Sequence, residues 1–326
     1  MQIKYHHRGK DYLLSAGTEK PDCPVFVVNH NDTAYYVPLV DPDDVQASDI
    51  RINHGGQTLA PLLAYADAVD ICANRSLADV RDIFNSGLGK FYFKVGDYFN
   101  VTFTDEVTLY KSAQGLGGSI DANSTWRAVV IGIDHNPAIE GYNRGHFAIC
   151  KNTDGVNITF TFVRLNATNT NEGGWAACEL RGWLQSTFLP VLPADLRAVI
   201  SPCVKYSNNT GGNANDIIAT ATTDTIWIMG VYEILTNPAY GSRVVSEGNF
   251  QQCYEYFVQG NTILHNRHYD PSTNGFWWLR SFSRHSTYTG MFVHSNNGGT
   301  VSGTASNRTN WCGFIPCFTI GGGSNV

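Results

Sequence analysis

Few residues of this sequence have the types and spacing that chemistry requires. Cys312 and Cys317, in the segment WCGFIPC, are separated by four residues, whereas a thioredoxin-like redox site has two residues between its cysteines. The other cysteines form no CxxC pair and have no histidine at the spacing of metal ligands. We therefore predict reduced, buried thiols for the cysteines of the chain, which are Cys23, Cys72, Cys150, Cys178, Cys203, Cys253, Cys312 and Cys317.

Two pairs of adjacent polar residues could act as metal ligands or as an acid and a base. These are His6 with His7, and Asp134 with His135 in the segment IGIDHN. Successive side chains of an extended strand point to opposite faces, so neither pair is expected to converge on one ligand or one proton. We predict no catalytic residue, no metal site and no cofactor, and hence a protein that is not an enzyme.

The segment that begins at Phe282 has the residue types of a binding surface. Tyrosine, serine, threonine, asparagine, histidine and arginine dominate it, and in antibody paratopes these residues combine rigid aromatic area with adaptable hydrogen bonds. An ordinary solvated loop region has a similar composition and stays open as an alternative. The predicted face comprises Phe282, Arg284, His285, Thr287, Tyr288, His294, Asn296, Thr300, Ser302, Thr304, Arg308, Thr309, Asn310 and Trp311.

A surface of this kind needs a backbone that does not depend on the exposed side chains. Trp277 and Trp278 in FWWLRS alternate across a predicted strand, so one is expected to fill the core and the other to pack under the loops or a helix. Arg280 is expected to hydrogen-bond loop carbonyls from beneath the face. Gly313 and Pro316, in the later strand GFIPCF, complete the predicted scaffold.

Composition restricts the class of protein. The chain has 326 residues, a net charge of -6, 15% charged residues, 12% aromatic residues and 32 glycines, which is typical of a β-rich, loop-rich protein. No run of Lys and Arg is present that could bind nucleic acid. No stretch is long and apolar enough to span a membrane, and the first residues have no apolar core of signal-peptide length. We therefore expect neither membrane insertion nor export by the ordinary secretory route.

The pattern of residues predicts an α+β fold in two parts. Residues 1–64 contain short strands such as VFVVN and AYYVPLV, and they predict a small β module for attachment or oligomerisation. In residues 65–326, Ser76 and Asp79 begin a helix that Gly87 ends. A second helix with an apolar stripe from Trp175 to Phe188 is expected to stop at Pro190, and Pro193 to start a third. Strands are predicted for FYFKVGDYFNVTF, WRAVVIGIDHN, HFAIC, VNITFTFV, TIWIMGVYEIL, FWWLRS, GMFVH and GFIPCFTI.

Several of these segments, taken in order, resemble a family of unknown function that is frequent in phages and prophages of gut bacteria. They are VGDYFNVTF, VVIGIDHN, GGWAACELRGWLQSTFLPVLPADLRAVI, TIWIMGVYEI, FWWLRS and GFIPCF, and they cover roughly residues 85–320. The arrangement at the end of the chain also resembles the C-type lectin-like fold of variable proteins that diversity-generating retroelements alter at adenine positions. The segment FSRHSTYTGMFVHSNNGGTVSGTASNRTNWC has the matching composition, which implies a variable region at about residues 282–312.

This resemblance implies a phage or prophage virion protein that is made in the bacterial cytoplasm and displays a diversified binding surface on the tail or capsid. Its expected partners are a host-surface protein or glycan, other virion proteins and further copies of the same chain. The E-P-N and W-N-D motifs of calcium-dependent sugar binding are absent from the sequence. Two alternatives stay open: a structural decoration protein without diversification, and an enzyme of the formylglycine-generating type that would use Cys312 and Cys317.

Overall fold

The structure is a computed structural model of the whole chain. It describes residues 68–108, 119–160, 163–213, 218–236, 243–261, 265–267, 270–294, 300–307 and 312–322, and before them the six strands of the first unit. For those six strands, for residue 245 and for strand residues 107–108, 119, 158–159, 265–267, 270–275, 293–294 and 300, it describes the backbone alone. The prediction of a mixed helix-and-sheet fold is confirmed. Within these ranges, none of the helices combines the length and the apolar character that crossing a membrane requires.

The chain divides into two compact units, Met1–Ala66 and Asp67–Val326. In the first unit, the described strands form three antiparallel pairs: β1 with β2, β3 with β4, and β5 with β6. The segments VFVVN and AYYVPLV supply β3 and β4, as predicted. The strands are Gln2–His7 (β1), Lys10–Ser15 (β2), Val25–His30 (β3), Thr33–Pro38 (β4), Asn53–His54 (β5) and Gln57–Thr58 (β6).

The second unit contains the remaining strands. They are Tyr98–Thr102 (β7), Val107–Thr108 (β8), Ser119–Ile120 (β9), Thr125–Ile133 (β10), Arg144–Asn152 (β11), Ile158–Thr159 (β12), Ile200–Ser201 (β13), Cys203–Ser207 (β14), Thr220–Asp224 (β15), His265–Arg267 (β16), Asp270–Phe282 (β17), Thr289–His294 (β18), Thr300–Ala305 (β19), Cys312–Gly313 (β20) and Cys317–Gly321 (β21). Two further short pairs join β8 with β9 and β14 with β15.

A five-stranded antiparallel sheet lies at the centre of the second unit, in the order β13-β21-β11-β10-β7. Strands β10, β11 and β21 are buried along most of their length, which explains why WRAVVIGI and HFAIC are continuous apolar runs. Strand β21 therefore lies between β13 and β11 and is part of the core.

The second sheet carries the region of the predicted binding face. Its order is β12-β16-β17-β18-β19, with β20 pairing in parallel to β17. The register between β17 and β18 shifts between Trp278 and Phe282. Within this irregular stretch, the Arg280 amide donates to the Met229 carbonyl at 3.0 Å instead of to β18. Strand β17 thus bonds both to β18 and, through Arg280, to the segment that contains Met229.

The structure bears on three predictions about where helices begin and end. The helix Leu77–Asn85 begins at the predicted capping box of Ser76 and Asp79, and Gly87 follows its end with a φ of 75°. Helical turns run from Glu179 through Val191, so the prediction that Pro190 stops the helix was wrong: it lies in the last turn, Leu189–Val191. Pro193 does start the next helix, Ala194–Arg197.

Two segments predicted as strands contain helices. The apolar run TIWIMGVYEIL is not a strand, because only Trp227 forms a bridge, with Cys317, and the helix Val231–Ile234 follows. A fully buried strand and a fully buried helix both consist of apolar residues, so composition could not distinguish between them. The segment FYFKV was predicted as a strand but begins within the helix Gly89–Tyr92. The other helices are Pro137–Glu140, the 3₁₀ helix Val245–Asn249 and Glu255–Val258.

Candidate functional site

Residues Ser283–Tyr288 connect β17 to β18 and form the most exposed described part of the predicted face. We call this segment the 283–288 loop. The side chains of His285 and Thr287 are exposed, and that of Tyr288 is 47% exposed, while Arg284 is half-buried. Among the described residues, His285, Thr287 and Tyr288 donate or accept no side-chain hydrogen bond to the rest of the molecule. Their side chains are therefore available to an outside partner.

Phe282 was assigned wrongly to the exposed face. Its side chain is fully buried and belongs to the hydrophobic core. Strand β17 extends through Phe282, which pairs with Gly290, and both neighbouring serines, Ser281 and Ser283, are also buried. The described surface consequently begins at Arg284.

The other predicted face residues lie on β18 and β19 or outside the described ranges. Ser302 and Thr304 are half-buried on β19, opposite Phe292 and Gly290 of β18. The end of β19 adjoins the loop, since the Ser306 amide donates to the Tyr288 carbonyl at 2.9 Å. His294 and Thr300 pair with each other, and their side chains lie outside what the structure describes, as do the following residues altogether: Asn296, Arg308, Thr309, Asn310 and Trp311.

Asn171 holds the 283–288 loop from beneath. Its side-chain Nδ2 donates to the Ser283 carbonyl at 3.0 Å and to the Ser286 carbonyl at 2.7 Å, and its backbone N–H donates to the Thr287 carbonyl at 2.9 Å. Asn171 is fully buried. One residue outside the loop thus satisfies three of the loop's carbonyls, a requirement that a buried backbone must meet.

Asn208 supports the start of the same loop. Its Nδ2 donates to the Phe282 carbonyl at 3.3 Å, while its Oδ1 accepts from the amides of Thr210 and Gly211 at 3.1 and 2.9 Å. Asn208 is also buried. We call Asn171 and Asn208 the frame asparagines. The sequence analysis did not identify either of them.

The frame asparagines are joined by two close backbone crossings at glycines. A Cβ atom on Gly174 would lie 1.8 Å from the Asn208 carbonyl oxygen, and a Cβ atom on Gly211 would lie 1.8 Å from the Asn171 carbonyl oxygen. Both glycines have positive φ, of 51° and 72°. Only glycine fits such positions. The segments NEGG and NNTGG therefore lock the two asparagines to each other.

A buried group of four charged residues lies next to the frame asparagine Asn208, since one of them, Arg280, bonds Ser207. We call this group, which comprises Glu140, Lys205, Glu233 and Arg280, the ionic cluster. Arg280 donates from Nη2 to Glu233 Oε1 at 2.7 Å, from Nη1 to the Ile228 carbonyl at 3.0 Å and from Nε to Ser207 Oγ at 2.9 Å. Arg280 thus bonds one carbonyl outside regular secondary structure, that of Ile228, and lies in the scaffold as predicted, but its described hydrogen bonds include none to a carbonyl of the 283–288 loop. The predicted scaffold residues Trp277, Trp278, Gly313 and Pro316 are also buried.

The charges of the ionic cluster compensate one another. Lys205 Nζ lies 2.7 Å from Glu140 Oε2, 3.2 Å from Glu233 Oε1 and 2.8 Å from the Tyr254 hydroxyl. Burial alone would raise the pKa of Glu233, but Arg280 and Lys205 outweigh it and hold that pKa below its usual range. Burial would likewise lower the pKa of Lys205, and its two glutamates raise it instead. Glu233 and Lys205 are therefore charged at neutral pH in this arrangement.

His135, Glu140 and His146 form the one group of three metal-ligand types found among the described residues. All three are buried, and one ligand atom of each lies within 4.8 Å of the others. The Lys205 ammonium, however, already contacts the Glu140 oxygen that both histidines face. A divalent ion there would be repelled by that ammonium at close range. Burial, with Lys205 adding to it, holds the pKa of His146 well below its usual value, so this histidine is neutral.

The other candidates for chemistry have structural partners. Asp134 accepts from the Arg144 amide at 3.0 Å, while His135 contacts Glu140 and the Gln252 carbonyl, so this pair does not share a proton. The seven described cysteines are reduced thiols, as predicted, but only five are buried, since Cys72 and Cys253 are half-buried; Cys23 lies outside the described residues. Burial first, and then Glu233, raises the pKa of the Cys317 thiol well above its ordinary value. Such a thiol stays protonated and is a poor nucleophile.

Comparison with known proteins places the chain in a family. Residues 156–321, half of the chain, match the family described as "Domain of unknown function (DUF6273)", so the chain belongs to that family. The match extends from just before β12 to β21 and includes the frame asparagines, the 283–288 loop and all of the ionic cluster except Glu140. No curated protein and no solved structure matches the chain.

Proposed function

We propose that this protein is a phage or prophage virion-associated binding protein whose second unit is a C-type lectin-like scaffold for a diversified ligand-binding surface. The surface comprises the 283–288 loop from Arg284 onward and the neighbouring part of β19, together with the later predicted face residues up to Trp311. Its partner is a protein or glycan of the host surface. Many weak contacts would be multiplied by copies of the chain on one particle.

One observation carries this proposal: the backbone of the loop is held by groups other than its exposed side chains. The carbonyls of Phe282, Ser283, Ser286 and Thr287 all accept from the frame asparagines, and the Arg284 amide donates to the Arg243 carbonyl at 2.9 Å. Exposed positions such as His285 and Tyr288 can then differ without loss of the loop's shape. A loop that is ordered before binding also loses little entropy on contact.

The resemblance of the FWWLRS and GFIPCF strands to retroelement-diversified proteins supports the same proposal. The frame asparagines, at positions 171 and 208, lie outside the segment at 282–312 that has the composition of a variable region. Mutagenesis confined to that segment would leave both of them intact. A structural decoration protein would need no such separation between a fixed frame and a changeable surface.

The chemistry of Cys317 favours binding over catalysis of the formylglycine-generating type. Catalysis by a cysteine pair needs reactive thiolates, and this thiol is fully buried with a raised pKa. Replacing Cys312 and Cys317 together should therefore leave binding intact. Oxidase activity in the unaltered protein would contradict this part of the proposal.

A binding screen tests the proposal directly. The full chain would be applied to arrays of bacterial-surface glycans and to whole gut bacteria, beside variants with His285→Ala and Tyr288→Ala and a control with the exposed Asn249→Ala. We expect loss of binding in the first two variants and not in the control. Binding that all three variants retain equally would reject this surface.

Sequencing the locus in many isolates tests diversification separately. A nearby template repeat, a reverse transcriptase and differences confined to adenine positions within codons 282–312 are expected. Divergence spread evenly along the gene would instead favour the decoration protein.

A further inference from the structure

Glu247 is a buried carboxylate that lies outside the ionic cluster and next to the frame of the loop. It belongs to the 3₁₀ helix Val245–Asn249 and is fully buried. Its Oε1 accepts from the Asn208 amide at 2.9 Å, and its Oε2 accepts from Gln251 Nε2 at 3.1 Å and from the Ser281 hydroxyl. The carboxylate therefore connects the 3₁₀ helix to the ends of β14 and β17.

Each of these described contacts of the carboxylate is with a donor. These donors occupy three of the roughly four lone-pair sites of the two oxygens, so a proton fits either on the remaining site of Oε1 or in place of one donor. On Oε2 it would compete with the Ser281 hydroxyl hydrogen, and Ser281 is held because its oxygen accepts from the Val231 amide at 3.0 Å. In either position, protonation removes the negative charge and weakens the bonds from Asn208 and Ser281, because hydrogen bonds to an ionised acceptor are about twice as strong as neutral ones.

The charged groups near Glu247 do not neutralise it fully. Arg280, on β17, faces it but is paired in two places with Glu233 of the helix Val231–Ile234. From the same helix, Tyr232 faces Glu247, and from β14 the nearest charge, Lys205, is bonded to Glu140 and Glu233. Burial consequently raises the pKa of Glu247 to about 6, against the bonds from Ser281 and Asn208 that lower it.

The residues that Glu247 bonds are those that hold the loop. Asn208 donates to the Phe282 carbonyl, and Ser281 directly precedes Phe282 in β17. The segment that carries Glu247 also begins beside Arg243, whose carbonyl accepts from the Arg284 amide. A change at the carboxylate thus reaches the start of the loop by two short routes.

We propose that Glu247 makes the 283–288 loop sensitive to pH: when the carboxylate takes up a proton, its bonds to Asn208 and Ser281 rearrange, and the loop that these residues support shifts. The consequence for ligand binding rests on the proposed function, but the coupling itself does not. Binding by this surface would then differ between neutral and mildly acidic surroundings.

Nuclear magnetic resonance of the isotope-labelled full chain tests the coupling without any ligand. Between about pH 8 and about pH 5, the backbone amide resonance of Asn208 should shift with a midpoint near pH 6, and the amides of the 283–288 loop should follow with the same midpoint. These titrations are run on His285→Ala, because histidine side chains ionise between about pH 5 and pH 8 and the one within the loop would shift the loop amides by itself. Adding Glu247→Gln, which keeps the size of the side chain and cannot titrate, should abolish both shifts. Adding the matched control Glu255→Gln instead, at an exposed glutamate, should leave both shifts unchanged.

Three results would overturn the proposal: an Asn208 amide that does not titrate, loop amides with a different midpoint, or loop titration that persists in the variant that also carries Glu247→Gln. If that variant does not fold, the comparison of the Asn208 and loop midpoints in His285→Ala alone still decides the question. A failed binding screen with intact coupling would reject the proposed function and leave this inference standing.

Discussion

Arg280 and Arg284 are four residues apart and occupy opposite kinds of environment. Arg280 is fully buried and bonded to Glu233, Ser207 and a backbone carbonyl, whereas Arg284 is half-buried at the start of the 283–288 loop. Arg280 belongs to a set of buried groups that need one another as hydrogen-bond and charge partners, whereas Arg284 belongs to the surface. The transition occurs across Phe282 and Ser283, so rigid and changeable positions meet within a few residues of one strand.

The difference shows how a fixed backbone and free side chains can be combined. Buried polar groups are costly unless each has its partner, which makes the ionic cluster and the frame asparagines intolerant of change. The exposed side chains of His285, Thr287 and Tyr288 need no such partner within the described part of the protein. The predictions below test this contrast, from the largest expected effect to the smallest.

Replacing Arg280 should have the largest effect on stability. Arg280→Ala leaves Glu233 buried beside Lys205 alone, and breaking a buried pair in this way costs about 3–5 kcal/mol of the free energy of unfolding. Denaturant unfolding would measure it. The exposed pair of Arg81 with Asp82 provides the control, since Arg81→Ala should cost less than about 1 kcal/mol. Equal losses in the two variants would contradict the assigned role of the cluster.

The glycine crossings should come next. Gly211→Ala adds a methyl group 1.8 Å from the Asn171 carbonyl oxygen at a φ of 72°, so we expect a loss of about 2–3 kcal/mol. Gly212→Ala separates the effect of the positive φ from that of the steric clash, because Gly212 has a φ of 83° but nothing within 4 Å of an added Cβ. Its loss should be about 1 kcal/mol. The crossing is unimportant if thermal unfolding of the two variants is the same.

Asn171→Ala should destabilise the protein by about 2 kcal/mol and loosen the loop. It removes the donors to the Ser283 and Ser286 carbonyls, leaving them unsatisfied. Amide hydrogen exchange should become faster throughout the 283–288 loop. Asn249→Ala, at an exposed asparagine, is the matched control and should change neither quantity. Unchanged exchange in Asn171→Ala would show that Asn171 does not hold the 283–288 loop.

The pH dependence of stability should identify Glu247. Because its folded pKa of about 6 lies above the ordinary 4.5, its contribution to stability is fully present below about pH 4.5 and is lost as the pH rises through 6. The unaltered protein should therefore gain up to about 2 kcal/mol relative to Glu247→Gln as the pH falls from 7 to 4.5. Unfolding curves at several pH values would show it, and a constant difference would contradict the raised pKa.

Single replacements on the exposed side should have the smallest effect on stability. His285→Ala and Tyr288→Ala are each expected to change the free energy of unfolding by less than about 0.5 kcal/mol. A loss above 1 kcal/mol in either variant would mean that the side chain helps to hold the fold.

Local signals predicted much of the fold, but not the frame. The capping box at Ser76 and the strand FWWLRS are set by neighbouring residues, so the sequence identified them. Asn171 and Asn208 act across long separations in a chain that is rich in asparagine, and only the glycine doublets that follow them marked the positions. Those doublets were a usable signal of positive φ.

The ionic cluster was missed for a related reason. Glu140, Lys205, Glu233 and Arg280 come from four separate elements, and nothing in one segment predicts the others. Glu233 did offer a hint, as a lone charge inside the apolar run TIWIMGVYEIL. A charge in a buried run needs a partner elsewhere in the chain, so Glu233 could have indicated a buried ion pair. Phe282 was placed on the surface because an aromatic residue serves a core and a paratope equally well.

The most direct test is amide hydrogen exchange of the loop in a triple variant, His285→Ser, Thr287→Ser and Tyr288→Ser, compared with the unaltered protein. The amides of Ser283 and Arg284 donate to the Thr289 and Arg243 carbonyls, and neither bond uses the replaced side chains. We predict that their exchange rates stay within about twofold of the original values, a difference of roughly 0.4 kcal/mol. Exchange accelerated tenfold or more would contradict the claim that the loop keeps its shape whatever its exposed residues are.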